Sequence, residues 1–480
     1  MKILNKLKNK YVGLNQITKV SIWYTLSNFM QKIIVVLSIP ILTRLLTSSE
    51  YGVYSVYNSW FEIIYNICTL ALASGGYFVG MKNHAESKQQ YDSAICSLCI
   101  CITTFVFALF SAVPFIWKLI LSLPVTYQFP MFIGIISGCP RDFWATSERY
   151  SQRYKKLVFV TLFTSMGVLV SQVLCSLCGF WEDKVVAVIW GGIIPSVLVG
   201  LSILISILRK GKVLFDKDIW KETIAFNVVL IPYYMSITFL NQIDRVMIER
   251  FIDASHAGYY SVAYRAASTI NIITVALNQS LMPWIFEKLK SNQEREIKRV
   301  STFILTIPFV ISLILILLAP EVILILSGEE YLVAAGIIPS VAIGMCLRFV
   351  SQIFIDVEMY YEKNNLITIS TVAIALLNFV LNWIAIPIYG FLAAGYTTLI
   401  CFAIQAILHS ILVYKCTNKK EIFDFKFIWL IISGIIVIGL GFNLIYGNTV
   451  LRYGMILAFA VLFFLMKKKL KNVISKIYKR

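Results

Sequence analysis

Histidine is nearly absent from the 480 residues, with His84, His256 and His409 alone, and charged side chains make up 14% of the chain, against about 25% in soluble globular proteins. So few histidines leave little from which to build a His-centred catalytic or metal site. So little charge, beside 59% hydrophobic residues, cannot clothe water-soluble domains, which excludes cytosolic enzymes and disordered or collagen-like chains. Long polar loops are lacking as well, so any binding or chemistry must take place between helices. Ten cysteines are present, but nine lie inside apolar runs and no large loop offers a disulfide framework. Cys96/Cys99 and Cys175/Cys178 have the C-x2-C spacing of a zinc knuckle without the ligands to complete a tetrahedral site, and read as small helix-packing residues. No metal and no cofactor are expected.

What is there is apolar sequence in long runs. A membrane-spanning helix needs about 20 apolar residues, and fourteen runs reach or approach that length, from 21–42 to 450–466. The fold class is therefore an all-α polytopic membrane protein of about fourteen transmembrane helices. Lys and Arg in the connections set its orientation, because basic residues stay on the cytoplasmic side. With the N-terminus inside, 33 of the 43 basic residues fall on cytoplasmic connections and tails, against Arg44, Lys118, Lys184 and Arg250 outside. Both termini are expected in the cytoplasm, and the net charge of +18 is a matter of orientation that calls for no nucleic acid.

The chain repeats itself at an offset of 206 residues. The stretch from Arg44 through Glu50, Gly52, Tyr54, Ser55 and Val56 aligns with Arg250 through His256, Gly258, Tyr260, Ser261 and Val262. An even number of spans separates the copies, so both halves enter the membrane in the same direction. The expected organisation is two parallel-repeat six-helix lobes, at 1–221 and 222–415, followed by two C-terminal helices and a basic tail at 416–480.

Leu42-Thr43-Arg44-Leu45-Leu46-Thr47 leading into Glu50-Tyr51-Gly52-Val53-Tyr54-Ser55, with Asn241-Gln242-Ile243-Asp244-Arg245 leading into Ala257-Gly258-Tyr259-Tyr260-Ser261, resembles the Wzx-type polysaccharide flippases. Ile386-Pro387-Ile388-Tyr389-Gly390-Phe391-Leu392-Ala393-Ala394-Gly395 resembles a third element of that family, whose superfamily also holds multidrug extruders and lipid II flippases. The resemblance implies translocation of undecaprenyl-pyrophosphate-linked oligosaccharide repeat units across the cytoplasmic membrane by alternating access, for capsule, O-antigen or exopolysaccharide synthesis. The partners that go with this are the lipid bilayer, a polysaccharide polymerase and a chain-length regulator.

Polar residues inside the runs are costly and mark candidate sites. Residues three or four apart share a helix face. Asn28 and Lys32 form one stripe, Asn58, Glu62 and Asn66 a second, Asn241 and Arg245 a third, and Arg348, Gln352 and Asp356 a fourth, with Arg265 deep in the eighth run. A lipid pyrophosphate needs cations, which guanidinium groups bind bidentately and lysine as a point charge, whereas sugar hydroxyls need amides and hydroxyls. Lys32, Arg265 and Arg348 are the candidate cations for the pyrophosphate. Glu62, Asp244 and Asp356 are candidates for coupling to a proton or sodium gradient. Arg141, Arg149 and Arg153 read as positive-inside anchors, and Arg245 can pair with Glu249 one turn on. A lipid II flippase and an extruder of organic cations remain alternatives within the superfamily, although a cationic cleft repels cations. A membrane enzyme such as a polysaccharide polymerase lacks the external loop or the His-centred site it needs, so no catalytic activity is expected.

Overall fold

The computed structural model of the protein describes residues 16–417 and 421–457, and every regular element among them is helical. The chain opens with α1 (Gln16–Leu45), α2 (Ser48–Cys68), α3 (Gly76–Asn83), α4 (Lys88–Ala112), α5 (Pro114–Leu121) and α6 (Gln128–Tyr150). It continues through α7 (Tyr154–Leu177), α8 (Lys184–Gly211), α9 (Lys217–Phe251), α10 (Ala254–Ala267), α11 (Ile270–Lys290) and α12 (Glu294–Leu317). It closes with α13 (Ala319–Ser327), α14 (Ile338–Tyr360), α15 (Asn364–Tyr389), α16 (Leu392–Cys416) and α17 (Phe425–Asn443). The run expected at 450–466 is described only to 457, where it is helical.

Ten of the described helical segments are long and apolar enough to cross a membrane. Of the four other expected runs, that at 450–466 extends beyond the described residues, and two are broken locally. The run at 52–79 is interrupted after α2, where Leu70 and Ala71 take left-handed φ values of 51° and 48°, and α2 itself is rich in polar side chains. The run at 259–285 is divided at Ser268 and Thr269 into α10 and α11. Outward-facing Phe105, Leu430 and Val437 are 70–73% exposed, which suits a surface meeting lipid tails rather than water. By contrast, α14 with the short helix before it has 83% of its apolar window buried, and forms the central post of the second half.

The two copies of the repeat begin their helices with the same device. At α2, Thr47 Oγ1 accepts from the Glu50 amide at 3.3 Å and Glu50 Oε2 accepts from the Thr47 amide at 2.8 Å, a reciprocal capping box. At α10, the equivalent Asp253 accepts from the His256 amide at 2.9 Å, and the His256 ring meets the same carboxylate at 2.9 Å. Both pairs satisfy amides that a helix start leaves without partners.

The copies then meet each other. Ser261 Oγ donates to its own counterpart, Ser55 Oγ, at 2.8 Å across the 206-residue offset. One turn earlier Gly52 lies against Gly258, their backbones so close that a Cβ built on Gly52 would fall 1.7 Å from the Ala254 carbonyl oxygen. A Cβ on Gly258 would fall 2.5 Å from the carbonyl oxygen of Ser48, the counterpart of Ala254. Small residues at helical spacing let two helices in a membrane approach this closely, and the starts of α2 and α10 are thereby locked together.

Candidate functional site

Two cavities flank α1. The first, of ≈ 460 Å³, lies between α1, α11 and α14, and its walls include Asn28, Lys32, Asn278, Arg348 and Gln352. The second, of ≈ 420 Å³, lies between α1, α2, α6, α7, α8 and α10, and its walls include Tyr54, Asn58, Arg141, Arg149 and Arg265. The helical repeat explains the partition: Asn28 and Lys32 share one face of α1, while Gln31, Ile34 and Ser38 turn to the other side.

Lys32 and Arg348 therefore share a chamber, together with Asn28 and Gln352. Arg265 stands in the neighbouring one, with Asn58 and with Arg141 and Arg149, whose positions near a helix end suggested simple anchors. Lys32 and Arg265 make no hydrogen bond or ion pair among the described residues. Arg348 Nη1 donates to Asn241 Oδ1 at 2.8 Å, a neutral partner, and its guanidinium lies 5.8 Å from the centre of the Phe402 ring. None of the three forms an ion pair among the described residues, although the Glu62 carboxylate acts on Lys32 through space, and a site for an anion requires such unpaired cations.

The remaining candidates are placed as follows. Asn58 is turned back onto the Tyr54 carbonyl at 2.8 Å, and Asn66 donates to Thr238 at 3.1 Å, tying α2 to α9. Glu62 is exposed on α2. Asp356 is fully buried and accepts from Gln352 at 3.1 Å, so Gln352 links the first cavity to a buried carboxylate one turn on along α14. Arg245 makes no ion pair with Glu249; its Nη1 donates to the Asn241 carbonyl at 2.7 Å, and the guanidinium stacks 4.4 Å from the Tyr264 ring centre. It is buried, away from both cavities, and holds the α9–α10 corner.

Asp244 has the most ordered surroundings. It is fully buried. Its Oδ2 accepts from Tyr260 at 2.5 Å and from Thr398 at 3.0 Å, and its Oδ1 accepts from Asn382 Nδ2 at 2.6 Å. Asn382 also donates to Asn378 Oδ1 at 3.2 Å and accepts a short hydrogen bond from Thr397. The cage draws on α9, α10, α15 and α16, and every donor in it is neutral. The guanidinium of the next residue, Arg245, acts on this carboxylate through space without a hydrogen bond to it, 5.8 Å from the Tyr260 ring centre; a proton or cation exchanged at Asp244 changes the balance of that buried pair. Asn378, Asn382, Thr397 and Thr398 carry no charge and sit in runs that read as apolar, so only the i,i+4 spacing of the two asparagines signalled them. A second buried pair, Glu358 and His409, both 0% exposed at 2.9 Å, was equally hidden, since its members come from different runs.

The profile of the family described as polysaccharide biosynthesis protein matches residues 17–289. Among curated proteins, the chain is similar to the "Probable low-salt glycan biosynthesis flippase Agl15" of Haloferax volcanii, with 24% identity over 212 residues, 43% of this chain and 44% of that protein. The matched stretch thus spans under half of that relative's length. Among solved structures, the lipid II flippase MurJ in an inward closed conformation superposes with a TM-score of 0.72 over 94% of this chain and 100% of that one, at 14% identity. The MATE multidrug transporter DinF-BH gives 0.60 over 84% and 96%, also at 14% identity. Identities this low establish the shared helical fold alone. The family match covers more than half of the sequence and agrees with the Wzx-type motifs beside Gly52 and Gly258: the chain is a multi-pass membrane protein and belongs to the polysaccharide biosynthesis protein family.

Proposed function

We propose that the protein is a flippase that carries undecaprenyl-pyrophosphate-linked oligosaccharide repeat units from the inner to the outer leaflet of the cytoplasmic membrane, for capsule, O-antigen or exopolysaccharide synthesis. Both termini lie in the cytoplasm, and the halves at 1–221 and 222–415 act as two lobes that alternate access. A polymerase and a chain-length regulator take up the product. The observation that carries this reading is the set of unpaired cations around α1. Lys32 and Arg348 face one side and Arg265 the other, each beside amides and hydroxyls suited to sugars, whereas Arg141 in the Arg265 cavity is paired with Asp142 at 3.8 Å. The same cations argue against an extruder of organic cations, which needs the opposite sign.

Coupling is assigned to Asp244, with a proton or a sodium ion entering and leaving its neutral cage. Asp356 joins the first cavity through Gln352 and is the second candidate.

Each charge-assisted contact to a pyrophosphate contributes about 1.5–3 kcal/mol, so Lys32→Ala, Arg265→Ala and Arg348→Ala are each expected to lower transport about ten- to hundredfold at normal expression. Complementation of a flippase-null strain reads this out. Full activity in all three variants would sink the assignment, and increased susceptibility of the null strain to cationic drugs would favour the extruder.

A further inference from the structure

A third cavity belongs to neither side of α1. It measures ≈ 560 Å³ and opens at one end of the first half, between the start of α4, the end of α6, the start of α7 and the end of α8. Four basic residues from these ends converge on it: Lys88, Arg153, Lys156 and Lys210. None forms an ion pair among the described residues. Lys156 Nζ lies 5.8 Å from the Trp144 ring centre and Lys88 Nζ 6.0 Å from that of Tyr150, so aromatic faces hold two of the ammonium groups at the mouth. Two acids share the lining, Asp92 and Glu148. Asp92 accepts a hydrogen bond from Tyr77 at 2.6 Å. Positive charge remains in excess.

Below the mouth the character changes. Ser202 and Ser206, one turn apart, face the cavity from a helix that is otherwise apolar there. Phe159 and Phe163 form the rim on the α7 side. Their rings are stacked at 5.9 Å and are 69% and 65% exposed. The same two rings border a second, apolar groove of ≈ 760 Å³ that runs on along α7 past Leu162 and Met166 towards Trp23 of α1. Cations, then hydroxyls, then a continuous apolar track is the sequence of groups along an anionic glycerophospholipid: phosphate, glycerol and ester, acyl chain. A free phosphate would leave the serines and the groove without a role.

We infer that this cleft is a binding site for an anionic phospholipid, with the phosphate between Lys88, Arg153, Lys156 and Lys210 and an acyl chain laid over Phe159 and Phe163 into the α7 groove. Trp144 and Val160 line both this cleft and the Arg265 cavity, so a bound lipid braces the wall of that cavity from behind. The inference is independent of what the cavities beside α1 carry.

Native mass spectrometry of the purified full chain in detergent, titrated with phosphatidylglycerol, tests it against phosphatidylcholine of the same chain length and against inorganic phosphate. Phosphatidylglycerol is expected to be retained over phosphatidylcholine, and Lys156→Ala/Lys210→Ala to weaken that retention about tenfold. Lys217→Ala/Lys221→Ala removes two exposed charges just beyond α8 but outside the cleft, and is expected to leave retention unchanged. Ser206→Trp fills the cleft without touching its charge, and is expected to weaken retention as well. Melting curves of the variants check that each is folded. Equal losses in both double-lysine variants would reduce the effect to general surface charge. Unaltered retention in Ser206→Trp, or displacement of the lipid by millimolar phosphate, would equally overturn the site.

Discussion

Asp244→Asn is expected to give a folded protein whose transport no longer responds to an ion gradient, while Asp244→Ala is expected to be unstable. The distinction follows from the cage. Alanine removes the acceptor of three hydrogen bonds: it leaves the Tyr260 and Thr398 hydroxyls as buried donors without it and takes from Asn382 one of its two acceptors. Each orphaned donor costs about 1–3 kcal/mol, so even with the relief of no longer burying a charge a net loss of about 3 kcal/mol is expected, read as a lower melting temperature of the purified protein. Asparagine keeps the shape and the acceptor oxygen for Tyr260 and Thr398 at the cost of the Asn382 contact, and its stability should fall less than that of the alanine variant. What it cannot do is change charge. In proteoliposomes the unaltered protein should speed up when a proton or sodium gradient is imposed, and Asp244→Asn should not, with a loss of tenfold or more. A normal gradient response in the asparagine variant would reduce Asp244 to a structural role and move attention to Asp356.

The second large effect is expected at the contact between the repeats. Gly52→Ala places a methyl group where the Ala254 carbonyl oxygen stands, 1.7 Å away, and the obstacle is backbone, which cannot rotate aside. The starts of α2 and α10 must separate. Overpacking of this kind costs about 1–3 kcal/mol, enough to shift the balance between closed and open forms of this end by about ten- to a hundredfold. Gly258→Ala meets the Ser48 carbonyl in the same way, at 2.5 Å, and should have a similar but smaller effect. A cysteine placed at Ser55 in a Cys-free background reports the change, since Ser55 is 2% exposed. It should be protected from a membrane-impermeant maleimide with Gly52 present and labelled once Gly52→Ala is introduced, with transport reduced in parallel. Unchanged labelling would mean that the helices separate elsewhere.

The helical membrane fold and the placement of Lys32 with Arg348 follow from features that sequence displays directly. Apolar length makes spans, and charge within a span stands out against it. Asp244 was visible for the same reason. Its cage was not, because Asn378, Asn382, Thr397 and Thr398 are neutral, short and scattered over two helices that meet α9 only in three dimensions. Arg141 shows a different difficulty. A basic residue near the end of a run satisfies the positive-inside rule whether it faces headgroups or a cavity, and only the packing of α6 against α2 and α7 decides. Arg245 was open to pairing with Glu249 by spacing, but Tyr264 and the Asn241 carbonyl offered its guanidinium a buried seat that spacing alone does not reveal. The interrupted runs after Cys68 and Ala267 have the same origin: hydropathy averages over a break that two left-handed residues or a Ser-Thr step can make.

The bond between Ser55 and Ser261 has a consequence for how the two halves can differ. A residue that touches its own counterpart is the mark of an isologous contact, the kind found on the twofold axis of a homodimer. In a true dimer a substitution at such a position falls on both sides at once, and every change must be compatible with itself. Joined in one chain, the halves are released from that condition. Thr47 and Glu50 can become Asp253 and His256 while the joint between Gly52 and Gly258 is kept, and Glu62 can stand on one side with no acid required at its partner position. The contact between the repeats is preserved, and the covalent link lets the residues on its two sides acquire different chemistry.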